Sequence, residues 1–356
     1  MTRHSKENAM TISGKSLRNT GLLLACALAA CSTEPRRYEN PYSPQTGHQY
    51  RYGAVPTREC ADQMSQWESA HPYAAPLSDT LAYGGGVDGV GVTSGVPRVY
   101  LVFYGSQWAE GGGGDPNGAS TFLQALFTGI GTGGERWSGT VTQYCDGPTV
   151  AKGATRCDPA STPHVGYPKQ GALAGVWFDS SKPSPANATT DDLAQEAVNA
   201  AAHFGNTTPE ANRYVQYFII SPAGTHPDGF GLSGENFCGW HYYARSPLGD
   251  IAYSNLPYVS DAGRSCGVKF LNSGTQGVLD AFSLVAAHEY AETLTDQFPP
   301  GGWTNPASGE ELADACAWIS SGPGHATNVS LPTGKFALQS LWSNDTNSCA
   351  IAHDIR

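Results

Sequence analysis

Two stretches of the chain are dominated by β-branched and aromatic residues with no breaker inside: VYLVFY at Val99–Tyr104 and YVQYFII at Tyr214–Ile220. Runs of β-branched and aromatic residues of this length predict strong strands. Gly175–Phe178 reads as a shorter strand, and Thr140–Tyr144 alternates as another. Between them the period changes to that of a helix. Phe122, Leu123, Leu126 and Phe127 recur at helical spacing in Ala119–Thr128. Thr190 caps a helix over Asp191–Phe204, whose first turn sets Asp191 and Asp192 against the helix dipole. The longest helical stretch is Val278–Asp296, with an apolar stripe of Val278, Phe282, Leu284 and Val285; Gly277 precedes it and Pro299-Pro300 forbids its continuation. This alternation of strand and helix predicts an α/β fold, with α+β as the alternative: one layered domain with a mixed sheet, flanking helices and long disulfide-linked loops.

The remaining segments read as shorter elements and loops. Cys60–His71 has the pattern of a short helix, Gly84–Gly95 is a glycine-rich loop, and Asn328–Trp342 reads as a hairpin turning at Pro332-Thr333-Gly334. Ser221–Asn272 is long, polar-aromatic and read as irregular, which in a compact domain points to function. Its His226, His241, Tyr242, Tyr243 and Tyr253 are candidates to line a pocket, or to pack as staples around a disulfide.

The first residues change the picture from a bare domain to an exported one. Lys15 and Arg18 precede the apolar run GLLLACALAAC, too short for a bilayer span of about 20 residues. Leu28-Ala29-Ala30-Cys31 resembles a bacterial lipobox, which implies cleavage before Cys31 and lipidation of its sulfur. The expected organisation is a signal peptide over 1–30, a proline-punctuated membrane tether over 31–76, and an extracytoplasmic domain over 77–356. The net charge of −11, without a basic patch, argues against nucleic acid. Seven cysteines remain beyond Cys31, none in C-x-x-C spacing, so disulfides rather than a thiolate zinc site are expected. The expected pairs are Cys145–Cys157, Cys238–Cys266 and Cys316–Cys349, leaving Cys60 free; this is one of about fifteen connectivities open to six cysteines.

The chemistry concentrates in the long helix. His288-Glu289-Tyr290-Ala291-Glu292 puts His288 and Glu292 four apart, on one helix face, with Glu289 about 100° round. This is the zinc-hydrolase layout H-E-x-x-H with Glu at the last position: the outer residues ligate metal and the inner Glu is the general base. About twenty residues on, Glu310-Glu311-Leu312-Ala313-Asp314 offers the third ligand, with Glu311 and Asp314 both open as candidates. Against this, Ser308-x-x-Glu311 is also a capping box, in which Glu311 merely caps a helix.

VYLVFYGSQW, FCGWH with a following SCG, HEYAETLTD, and GEELADAC with a terminal LWSNDTNSC together resemble the phosphate-induced protein 1 (EXORDIUM-like) family, in its bacterial branch, over about Val99 to Cys349. The resemblance implies a secreted protein associated with cell walls or surfaces, and favours Glu311 over Glu310. Two functions follow as expectations. One is an exported metal-dependent hydrolase, in the first instance a zinc metallopeptidase acting on peptide or protein, with Ca2+ as the alternative ion to Zn2+. The other is a non-enzymatic surface module that binds polysaccharide or protein, its acidic cluster structural. No G-x-S-x-G elbow supports a serine nucleophile.

Overall fold

The two apolar runs lie side by side at the heart of a sheet. The computed structural model describes residues 40–71, 79–158 and 162–356, and Arg37–Arg356 form one compact unit. Cys31 and the leader lie outside the described residues. In chain order the elements are β1 (Tyr52–Pro56), α1 (Arg58–Ala70), β2 (Ala82–Tyr83), β3 (Arg98–Tyr104), α2 (Ala119–Gly129), β4 (Leu173–Asp179), α3 (Thr190–His203), the single turn α4 (Pro209–Asn212), β5 (Val215–Ile220), β6 (Phe237–Ser246), β7 (Gly249–Leu256), α5 (Gly274–Thr295), β8 (Trp303–Thr304), β9 (Thr327–Leu331), β10 (Gly334–Leu338), β11 (Leu341–Ser343) and β12 (Ser348–Ala350).

The main sheet has six strands in the order β1-β6-β7-β5-β3-β4. β3 pairs in parallel with β4 and β5, and β5 with β7; β6 returns antiparallel to β7, and β1 closes the edge antiparallel to β6. The fold is therefore mixed α/β. Helices cover both faces, as alternation along β5 shows. Gln216 donates to Glu289 O and to Thr293 Oγ1 of α5, whereas its neighbour Tyr217 points the other way, to Asn206 and Asn212 beyond α3. Helix α5 is buried on every side along its second half, since the sheet, α2 and the β9–β10 hairpin surround it. A helix so enclosed carries no polar face, and the ionisable side chains on it need internal partners.

Several boundaries differ from the sequence reading for identifiable reasons. Helix α5 begins at Gly274, so Gly277 lies inside its first turn; a Cβ there would meet Asn272 O at 2.3 Å. The cap of α3 is Thr189, not Thr190, because Thr189 and Asp192 form a reciprocal capping box. Thr140–Tyr144 is a tight 3-10 turn rather than a strand; Thr142 and Gln143 satisfy the carbonyls of Gly139 and Thr140 with their own side chains. Ser221–Asn272 is not irregular: it contains the β6–β7 hairpin. The expected tether over 31–76 includes β1 and α1, which are built into the domain, and Arg51 is buried in ion pairs with Asp228 and Glu235. The β9–β10 hairpin turns where the sequence indicated.

Disulfides join Cys145 to Cys157, Cys238 to Cys266 and Cys316 to Cys349, and Cys60 is free and buried. Two of them brace the elements around the H-E-x-x-E helix: Cys238 lies on β6, and Cys316 follows the acidic segment after α5. Among the described residues no helix is long and apolar enough to cross a membrane.

Candidate metal centre

The second half of α5 presents its carboxylates to β6 and to the turn at Glu311–Asp314. Six ionisable side chains converge there. His241 on β6, His288, Glu289, Glu292 and Glu311 are fully buried, while Asp314 keeps a side-chain exposure of 16%. Glu292 stands in the middle. Its Oε1 lies 3.1 Å from His288 Nε2, and Asp314 Oδ1 lies 3.5 Å from the same nitrogen. Its Oε2 lies 3.8 Å from His241 Nδ1, which is 3.5 Å from Glu289 Oε2. The other nitrogen of His241 faces Glu311 Oε2 at 3.7 Å. Two groups thus share Glu292: His241, Glu289 and Glu292, and His288, Glu292 and Asp314.

Backbone and side-chain contacts fix the second group. Ala313 N and Asp314 N donate to Glu292 Oε1, and Glu311 N donates to Asp314 Oδ2. Glu311 is therefore not a helix cap; Asp314 caps the turn instead, and no helix follows Ser308, whose hydroxyl goes to Glu310. Gln339 donates from Nε2 to Ala313 O, so its Oε1 accepts from His288 Nδ1 at 3.1 Å. The proton on Nδ1 leaves Nε2 to face two carboxylates, with either a second proton or a cation between them. An outer hydrogen bond of this kind is how proteins set the tautomer of a ligating histidine.

Most of the inward-facing atoms have no hydrogen-bond partner. Both nitrogens of His241, both oxygens of Glu289 and of Glu311, and Glu292 Oε2 are buried without a hydrogen bond, and His288 Nε2 faces only the carboxylates of Glu292 and Asp314. Buried polar groups are almost always satisfied, so donors of this kind converging on one point are suited to a shared ligand. The donors suit a metal ion: tetrahedral zinc with ~2.0–2.2 Å bonds separates its ligands by roughly 3.3–3.6 Å, near the spacings above. These buried His and Glu groups can hold a metal ion.

The titration of the cluster follows from its burial. Burial, aided by the nearby His288, pushes the His241 imidazole down to about 3. Burial also acts to lower His288, but the charges of Glu292 and Asp314 prevail and raise it well above its usual value. Burial raises Glu289 and Glu311 well above the carboxylate range. Glu292 rises to about 7 through burial and repulsion from Asp314, partly offset by His288. A cation would replace the protons these groups otherwise hold.

β1 forms the lid. Gly53, at φ +48°, passes so close that a Cβ on it would lie 1.8 Å from Glu292 Oε2 and 2.6 Å from His241 Cε1. Outside this strand is a polar cleft of about 540 Å³, lined by Gln45, Tyr52, Glu68, Tyr242, Ser308 and Glu310. A smaller cavity of about 60 Å³ shares Gln45, Ser308 and Glu310 with it and reaches Gly53 and Asp314. Asp314, the one partly exposed member of the cluster, lines this smaller cavity.

The sequence-derived set His288, Glu289, Glu292, Glu311 and Asp314 is brought together in space, with Glu311 turned to His241 and Asp314 to His288. The residue missing from that set is His241. Of the other pocket candidates, Tyr242 lines the cleft, Tyr253 is buried, and His226 packs as a staple with its Nδ1 on Phe230 O. Comparisons with protein-family models, curated proteins and solved structures find no match.

Proposed function

We propose that the protein is an exported metal-dependent hydrolase, in the first instance a zinc metallopeptidase, and a bacterial relative of the phosphate-induced protein 1 family. The observation that carries this reading is the set of unpaired buried donors around Glu292. His288, Glu292 and Asp314 hold the ion, and Gln339 orients His288. Each group of donors includes an imidazole nitrogen, which suits zinc; calcium takes oxygen ligands. Bound there, zinc supplies Lewis-acid polarisation and a more acidic water. Glu289, one residue from His288 along the helix, would take the proton from the attacking water. The cleft beside Tyr52 and Tyr242 receives the peptide or protein substrate, and Asp314 lines the smaller cavity next to it.

Metal content of the purified protein, measured with hydrolysis of a peptide library before and after chelation, tests this. Bound zinc, cleavage lost on chelation and restored by zinc, and loss of most turnover in Glu289→Gln are expected. A second reading, a non-enzymatic surface module with a structural ion, is favoured by the complete burial of His241, Glu289 and Glu311 beneath β1. Bound metal with no cleavage of any peptide supports that reading, and absence of metal sinks both.

Export and anchoring belong to the same proposal. Three disulfides suit an oxidising compartment, and Leu28-Ala29-Ala30-Cys31 supplies the lipid attachment that holds the protein on the membrane. Cys31→Ala is expected to move the mature protein out of the membrane fraction or to block its processing. Unchanged fractionation overturns the lipoprotein assignment.

A further inference from the structure

The centre presents two groups of donors that have only Glu292 in common. Glu289, Glu292, Glu311 and Asp314 meet two imidazoles, and among the described residues the ion pairs of these four carboxylates are with His241 and His288 alone. The donors also divide in space: Glu292 turns Oε1 to His288 and Oε2 to His241.

We propose that the centre is dinuclear, with a second divalent cation held by His241 Nδ1, Glu289 Oε2 and Glu292 Oε2, and Glu292 bridging it to the ion at His288 and Asp314. The independent observation is His241 itself, fully buried with neither nitrogen hydrogen-bonded and both aimed at carboxylates. Glu311 faces Nε2, so it takes the N–H of that nitrogen and leaves the Nδ1 lone pair for the ion, the role carboxylates play behind metal-binding histidines. Glu289 binds through Oε2, and its unpaired Oε1 stays available to accept a proton. Paired ions of this kind clamp both the attacking and the leaving oxygen in hydrolysis.

The inference rests on the metal-centre reading, and stoichiometry separates the two. The purified protein is loaded with Zn2+ or Mn2+, dialysed free of excess, and analysed by plasma mass spectrometry. Two equivalents are expected for the wild type. His241→Ala and Glu289→Gln are each expected to halve the content by emptying the second position, and Asp314→Asn by emptying the first. The Mn2+ form should show spin-coupled paramagnetic resonance, a signature that needs no variant, and Glu289→Gln is nearly isosteric should His241→Ala fail to fold. One equivalent in the wild type, unchanged in Glu289→Gln, overturns the second ion and leaves the single-metal reading standing. Two uncoupled equivalents overturn the Glu292 bridge. No bound metal ends both.

Discussion

Glu292→Gln is expected to reduce bound metal to background while making the metal-free protein more stable than metal-free wild type. The opposite signs follow from the position of this side chain. With metal present, Glu292 is the one residue common to both donor groups, so its loss removes a charged ligand from each. Wild type gains about 4 kcal/mol per ion at a thousandfold excess over Kd, and the variant forgoes it. Without metal, Glu292 is a fully buried carboxylate beside Asp314, raised to about 7 by burial and repulsion. Glutamine carries no charge to desolvate and still accepts from Ala313 N and Asp314 N through its carbonyl. Thermal melting of both proteins in zinc and in chelator gives the four values needed. A variant less stable than wild type in chelator as well as in zinc would show that Glu292 is a structural ion-pair partner of His288 and nothing more.

The second large effect falls on a residue with no side chain. Gly53→Ala is expected to cost about 2–5 kcal/mol and to abolish metal binding at the His241 side, combining a strained left-handed backbone with overpacking. The new methyl group would overlap Glu292 Oε2 and crowd His241, so it acts on the ligands themselves. Gly47 is the internal control: its φ is +82°, and a Cβ there meets nothing within 4 Å. Gly47→Ala should therefore show only the backbone cost, about 1–2 kcal/mol, and keep its metal. If the two variants lose equal stability and both retain metal, Gly53 is an ordinary turn glycine.

The parts of this fold that were legible in the sequence are those whose burial is continuous. β3, β5 and the second half of α5 are apolar because neighbours enclose them, and H-E-x-x-E stood out as charge on such a helix. β6 and β1 were illegible for a different reason. FCGWHYYARS carries a glycine and a histidine at buried positions, because Gly239 lies against Val285 and Glu289 and His241 serves the centre; both weaken the strand pattern. The cluster of aromatic residues Phe237, Trp240, Tyr242 and Tyr243 was the available signal. β1 is five residues at an irregular edge register, held by backbone pairing and by the Arg51 ion pairs, so nothing in RYGAVP distinguishes it from a linker. The site was half visible accordingly: the helix and the acidic turn could be read, and the strand that completes them could not.

The closure of β1 over Glu292 bears on how fast anything leaves. On the His241 side, an ion beneath Gly53 has no straight path out past a backbone packed against Glu292 and His241. Its departure requires an edge strand to peel from β6, and a local opening of that kind has its own free energy and rate. Metal loss should then proceed at a rate independent of chelator concentration once chelator is in excess, because the strand and not the scavenger sets the pace. Loosening the Arg51 latch would speed release without altering a single donor atom, so that occupancy, once established, is held by kinetics as much as by affinity.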